Sequence, residues 1–465
     1  MELLYSSLLY LTGWPLAVVL FIGGLYFTIR TGVIQAMLKE TVRVTAEKPG
    51  AGKISSFSAL MVSTASRVGS GNIIGVSVAI CSGGPGAVFW MWLTATIGGA
   101  SAFVESTLAQ IFKRKKDDGT SYGGPAYYIE STLKSKTLAI IFTLALIFTY
   151  GVGYNMLASY NLQSAFSEFE FYKQTSNIVW YFGAGAALLF FICVCGGCKS
   201  IIRVTSVLVP LMGVAYILFA LLAVVINAEQ IPGMFKTIFQ SAFDFKAIFG
   251  GFAGSVIMLG MKRGLYSNEA GIGSAPNAAA SADVSHPVKQ GLVQMLSVFI
   301  DTLIICSATA FMCLCTDVDP SAEGISGAPY VQQAVSVTFG VIGPIFIAAA
   351  MVLFTFTTLL GNFFYVENCL NYLFGKVPSK AILIVIRFVG AVLIACGAGI
   401  KMGLAWDLAD IAQCILAFIN IPVCMIIGGY AYKALKDYKA QRREGKNPVF
   451  KSKNIGIDVP TDFWN

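Results

Sequence analysis

The chain has 465 residues, of which 56% are hydrophobic, 12% charged and 47 glycine, with a net charge of +8. A soluble chain carries about a quarter charged residues, and a nucleic-acid binder gathers its bases on an aromatic-flanked patch that is not seen here. Apolar runs of roughly 20 residues or more make it a polytopic membrane protein, so the basic excess concerns topology first.

Eleven spans are predicted, at 8–30, 54–82, 84–112, 137–168, 177–197, 200–225, 246–285, 288–315, 336–370, 379–400 and 404–432. Several exceed the roughly 20 residues needed to cross, so they tilt, break or project beyond the bilayer. The first lacks a basic leader and a small-residue cleavage site, which predicts a retained helix rather than a signal peptide. With the N-terminus outside, the segments 30–53, 113–136, 197–203, 276–290, 371–380 and the tail after 432 hold 24 of the 32 lysines and arginines. The outer loops hold only Lys173, Lys236, Lys246 and Lys401. This bias predicts a cell-membrane protein with its N-terminus out and its C-terminus cytoplasmic.

The second span is interrupted at Arg67 to Gly75, within "SRVGSGNIIGV", and the seventh at "LGMKRGLYSNEAGIGSAP", Leu259 to Pro276. Without the first span, these lead two five-helix sets, 54–225 and 246–432, and an odd repeat length sets the two in opposite orientations. Residues 1–53 then form an extra helix with its cytoplasmic loop, and 433–465 a cytoplasmic tail. Broken helices at matching positions in inverted repeats point to a secondary transporter's midplane site. Non-helical backbone survives at that depth only where protein or a wet cavity satisfies it. A half-helix restarting after a break offers free N–H groups to a carboxylate, and one stopping there offers carbonyls to a small cation. Gly69, Gly71 and Gly75 could instead mark a close helix contact, but a packing seam does not need Arg67 and Asn72 at the same depth.

Ten further charges fall within predicted spans: Arg67, Glu105, Lys262, Arg263, Glu269, Asp301, Glu367, Arg387, Asp407 and Asp410. Each costs several kcal/mol at the bilayer centre unless paired or wetted. Arg387 and Glu105 are expected near helix ends, snorkelling to the interface. Glu269 lies inside the second break, with Arg67, Lys262 or Arg263 as its expected partner. In the ninth span Phe354, Thr357, Thr358 and Asn362 share one helical face, suited to completing a sodium site with carbonyls of the first break. The alternative is that the threonines bond back to their own helix. Cys193, Cys195 and Cys198 lack a fourth ligand for a metal and read as small apolar residues in a reducing compartment. His286, the single histidine, is expected at a loop surface.

The stretches "RVGSGNIIGVSVAICSGGPGAVFWMW", "SYGGPAYYIE", "KRGLYSNEAGIGSAP", "HPVKQGLVQ", "FIDT" and "AWDLADI" strongly resemble the alanine or glycine:cation symporter family, part of the wider group with the LeuT-type fold. The resemblance implies an all-α, five-plus-five inverted-repeat core with one extra N-terminal helix. It further implies symport of a small neutral amino acid with sodium, or in some members with protons. Carried over by position, Ser70, Gly71 and Asn72 would meet the substrate carboxylate, and Ser267, Asn268, Glu269 and Gly271 would face the substrate from the other repeat. The carbonyls of Ala65, Val68 and Phe354 with the hydroxyls of Thr357 and Thr358 would hold Na⁺. No cofactor is implied beyond that coupling ion, and the partners are the amino acid, sodium and the bilayer.

Two positions depart from the family pattern. Ala158 stands where a glutamine is usual and Asn362 where a tryptophan is usual, both at positions that resemble the border of the substrate side chain. Their small size predicts a solute larger or more polar than alanine, such as glutamine. A membrane enzyme would need a nucleophile with a positioned base or a metal cluster, and a channel a continuous polar pore. Neither pattern is present in the sequence.

Overall fold

The computed structural model describes residues 2–50, 53–116, 119–174, 177–244, 255–457 and 461–464. The fold is all-helical apart from a two-stranded ribbon, in which Arg114–Lys115 pairs antiparallel with Ser121–Tyr122. Among the described residues nine helices are long and apolar enough to cross a bilayer, and they coincide with nine of the expected spans. The two that do not are 54–82 and 246–285, the two expected to be broken. The start of the latter, with Lys246, lies outside the described residues.

Local chemistry sets several helix starts. Ser55, Ser135 and Ser379 each turn a hydroxyl onto the N–H three residues ahead, at 2.9, 3.3 and 3.4 Å. Such a cap satisfies one of the donors a helix start leaves free. Short helices at Pro125–Leu133 and Ile231–Ala242 fall in stretches read as loops, and Ala328–Phe339 straddles the expected start of the ninth span. Each opens with proline in its first turn, where the missing N–H costs nothing.

Burial separates scaffold from rim. Ala87–Ile111 has 72% of its apolar window buried, against 28% for both Gly197–Ile226 and Lys380–Gly397. The outer helices show Leu211, Leu218, Val225, Val385 and Phe388 outward, as contact with lipid tails requires. The inner ones converge on polar side chains, the reverse of a soluble core.

At the end expected to be cytoplasmic, the chain's last residues cross the helix ends. Trp464 donates its indole N–H to the Gln110 carbonyl at 2.8 Å, Asp462 pairs with Arg114 at 3.1 Å, and the Phe450 N–H reaches the Ser285 carbonyl at 2.9 Å. This tail covers His286, which is fully buried rather than at a surface. Its Nε2 lies 3.2 Å from Asp437 and its ring packs on Tyr438 and Phe450. Burial pushes its imidazole below the usual value, while Asp437 pulls the other way.

Candidate functional site

The first break is short. Helix Ser56–Arg67 stops at Val68, which turns extended, and a π-helical turn over Gly71–Gly75 leads into Val76–Gly83. Asn72 builds the corner: its Oδ1 takes the Gly69 N–H at 2.7 Å, and its own N–H returns to the Gly69 carbonyl at 3.1 Å. The Gly69 amide, which helical continuation would send to Ala65, is therefore turned away from it. Two close approaches need glycine here. A Cβ on Gly69 would stand 2.0 Å from Thr358 Oγ1, and one on Gly71 2.7 Å from the Tyr266 ring.

The second break is longer and left-handed. Helix Val256–Asn268 ends at Glu269, whose φ of 54° is rare for a residue with a side chain; Gly271 and Gly273 follow at 91° and 81°, before Pro276–Ala279. Asn268 Oδ1 accepts the Ala270 N–H at 3.0 Å. Glu105 fills the turn beyond it. Its carboxylate accepts the Gly271 and Gly273 amides at 3.4 and 3.1 Å and the Asn420 amide at 2.7 Å. Glu105 is thus fully buried and holds the break, rather than snorkelling from a helix end.

The other expected charge contacts are also redistributed. Glu269 receives the hydroxyls of Ser66 and Ser274, both at 2.7 Å, not a cation. Lys262 and Arg263 both go to Asp410, at 2.7 and 2.9 Å, with the Arg263 guanidinium 4.0 Å over the Trp406 ring. Arg387 is buried against Glu367 at 2.6 Å, and Cys198 donates to the same carboxylate at 3.1 Å. In each case packing supplies a partner that chain order does not indicate.

Asp301 joins the two breaks. It sits on a π-helical stretch, Phe299–Cys306, and accepts the Asn72 amide at 2.7 Å from one break and the Ser267 hydroxyl at 2.8 Å from the other. Thr302 adds a third hydroxyl at 2.8 Å. A π-turn widens a helix locally and turns side chains out of the regular ladder, which recurs at functional sites. Its position inside "FIDT", a charge within a span, is the sequence signal for Asp301, which the expected site set omitted.

Of the expected sodium ligands, Ala65, Val68 and Thr358 lie at the first break. Helix Ile342–Leu373 lies against its end: a Cβ on Gly361 would stand 2.6 Å from the Ser66 nitrogen and 3.1 Å from the Ala65 carbonyl carbon. Thr358 Oγ1 faces Gly69, buried and without a protein partner. Thr357 bonds back to the Leu353 and Phe354 carbonyls, both at 3.1 Å, and reaches Met212 Sδ at 3.5 Å. The two hydroxyls on one predicted face therefore do different things.

The expected solute-facing residues also gather here. Asn362 Oδ1 lies 2.7 Å from Ser66 Oγ, sharing its one proton with Glu269, and Asn362 Nδ2 donates to Asn155 Oδ1 at 2.9 Å. Six residues beyond Asn155 on Tyr154–Ser164, Asn161 donates to Ser70 Oγ at 3.0 Å. Ala158 lies three residues from each asparagine, on the same helical face and fully buried. Asn155 Nδ2 and Asn161 Oδ1 keep buried polar capacity beside it. Asn72 and Ser267 are saturated by protein contacts and shape the site, and Ser70 and Gly71 follow the first break beside the Tyr266 ring.

A family model described as the sodium:alanine symporter family matches residues 3–452. The amino-acid carrier protein AlsT of Bacillus subtilis is 42% identical over 472 residues, spanning 100% of this chain and 98% of its own length. The probable sodium/glutamine symporter GlnT of the same organism is 39% identical, spanning 97% and 91%. A sodium/proton-dependent alanine carrier protein of a Bacillus species is 36% identical, spanning 90% and 96%. Among solved structures, MhsT in complex with L-phenylalanine superposes with a TM-score of 0.60 over 87% of this chain and 94% of its own, at 15% identity. That likeness is one of fold, the LeuT-like arrangement of helices.

Proposed function

Because the chain belongs to the sodium:alanine symporter family, we propose that this multi-pass transporter takes up a small neutral amino acid with sodium, by alternating access around the two breaks. The observation that carries the reading is Thr358: a buried, unpartnered hydroxyl aimed at Gly69, where the Ala65 carbonyl has lost its helical amide. Oxygen ligands without donors at the end of a half-helix suit a small hard cation. Ala65, Val68 and Phe354 would supply carbonyls and Thr358 the hydroxyl; Thr357 would orient the Phe354 carbonyl it bonds.

The solute carboxylate would lie on Ser70 and Gly71, with Asn72, Ser267, Asn268 and Gly271 shaping the site and Glu269 at its inner wall. The side chain would enter between Ala158 and Asn362. Glutamine is the best fit, since the Asn155, Asn161 and Asn362 amides offer both donors and acceptors to a polar end group. The 39% identical relative named a probable sodium/glutamine symporter supports that choice. Eleven crossings, the first a leading helix outside two inverted five-helix sets, with the N-terminus out, would place the tail in the cytosol.

Sodium and solute must favour the same state for coupling, so each should raise the other's affinity. Accumulation of labelled glutamine, alanine and glycine in proteoliposomes, under separate sodium and proton gradients, tests the reading. A sodium gradient should drive glutamine best. Accumulation under a proton gradient but not under a sodium gradient would remove sodium from the mechanism.

A further inference from the structure

Arg67 is spent neither on the cation site nor on the corner. It is 2% exposed, and one nitrogen donates to the Gln294 carbonyl at 3.2 Å, while Nε and Nη2 have no protein partner. Gln294 and Gln290, one turn apart on Pro287–Val298, are also fully buried, and all four of their side-chain polar atoms lack partners. Buried polar groups left this way each cost about 1–3 kcal/mol, more for a charge, so these six atoms offer a guest both donors and acceptors.

The direction of the cluster follows from the helix register. Thr64 meets Ser297 at 3.2 Å, yet Arg67, three residues further on, reaches back to Gln294. The guanidinium therefore runs from the break toward the shared end of the two helices, where Asp283 bonds Ile54 and Lys289 pairs with Glu47. By the proposed topology that end is cytosolic. Glu105, Glu269 and Asp301 feel the charge of Arg67 but spend their oxygens on other donors. A lone anion would be repelled by those acids. A zwitterion fits both charges: its carboxylate matches the free Nε–Nη2 fork, and its ammonium can face the carboxylate of Glu269, which is bonded to Ser66, the neighbour of Arg67.

We propose that Arg67, Gln290 and Gln294 form a second, inner subsite, which holds the amino-acid zwitterion by its carboxylate between the central site and the cytosol. This rests on the symport reading above. The solute would move from backbone amides at Ser70 and Gly71 to the guanidinium before release, so that its carboxylate is not desolvated without a partner on the way out.

The test compares the two faces of the full-length protein, with L-glutamine and L-alanine as probes. Sodium-dependent binding in detergent reports the central site, and the half-saturation for efflux from the cytosolic side reports the inner one. Arg67→Lys keeps the charge and loses the fork, and Gln294→Leu keeps the volume, so a folded variant is available even if one is lost. Both should raise the internal half-saturation by about tenfold, with central binding changed by less than about twofold. Equal shifts on both faces mean a merely structural role, and an unchanged internal half-saturation means no subsite; either overturns the proposal. Replacing chloride by gluconate is the third arm: slowed efflux in the unmodified protein but not in the variants makes the occupant inorganic and also overturns it. If the unmodified protein neither binds nor accumulates either amino acid with sodium, the symport reading itself fails, and the subsite with it.

Discussion

The two breaks solve one problem in opposite ways. Both interrupt a membrane helix, where every unpaired peptide group must find a partner. The first does so in two residues, with the local side chain of Asn72 as brace, and leaves the Thr358 hydroxyl open against Gly69. The second spreads over three positive-φ residues and imports a carboxylate, Glu105, from 166 residues away to absorb its amides. A break whose amides are taken up by a distant carboxylate is a scaffold; one with an unpartnered oxygen beside it can take cargo. Asp301 ties the two together, so movement at one is felt at the other.

The largest effect should come from emptying the scaffold break. Glu105→Ala strands two backbone amides and one Asn420 amide proton in the interior, which should cost at least about 3 kcal/mol. Thermal unfolding in detergent should show a marked drop, with Glu105→Gln intermediate. If Glu105→Ala melts normally but has lost sodium-dependent binding, the second break is not the scaffold and the contrast is reversed.

Next in size is Gly69→Ala, whose new methyl would stand 2.0 Å from Thr358 Oγ1. We expect sodium-dependent uptake to be abolished with the protein still inserted. Adding Thr358→Ala should relieve the clash, seen as a recovered melting temperature, without restoring the sodium response. Recovery of that response in the double variant would show that the hydroxyl is not a ligand.

A smaller effect separates the two threonines. Thr358→Ala should raise the sodium half-saturation by about tenfold, the equivalent of 1.4 kcal/mol. Thr357→Ala should move it by less than about twofold, because that hydroxyl is already bonded within its own helix. Equal shifts would return both to the ligand set.

The smallest change is one of preference. Asn362→Trp should favour alanine or glycine over glutamine by about tenfold in competition assays, since it fills the space beside Ala158 and removes an amide contact. If alanine outcompetes every larger amino acid in the unmodified protein, a neighbouring side chain already fills that space.

Both breaks were legible in the sequence because polarity and glycine inside an apolar run are local signals. Thr358 and Asn362 emerged from helical spacing on one face, and Ala158 and the carbonyl positions from resemblance alone. For Thr357 the same spacing serves a ligand and a hydroxyl bonded to its own helix, and spacing alone does not separate the two. Asp301 was visible as a charge within a span, but nothing local says that it receives Asn72 and Ser267.

The sequence by itself determined where the chain enters the bilayer, where two helices must stop, and which residues are too polar for lipid. Those follow from the length of apolar runs and from backbone donors that hydrocarbon cannot satisfy. Only the tertiary structure decided how the polar residues pair. Glu269 takes hydroxyls rather than a cation, Lys262 and Arg263 share Asp410, Arg387 turns to Glu367, and His286 lies beneath the tail. Several of these contacts join residues more than a hundred positions apart, and Coulomb attraction among buried groups acts on distance in space. That distance is set by which helix faces meet, and no single helix carries it in its own sequence.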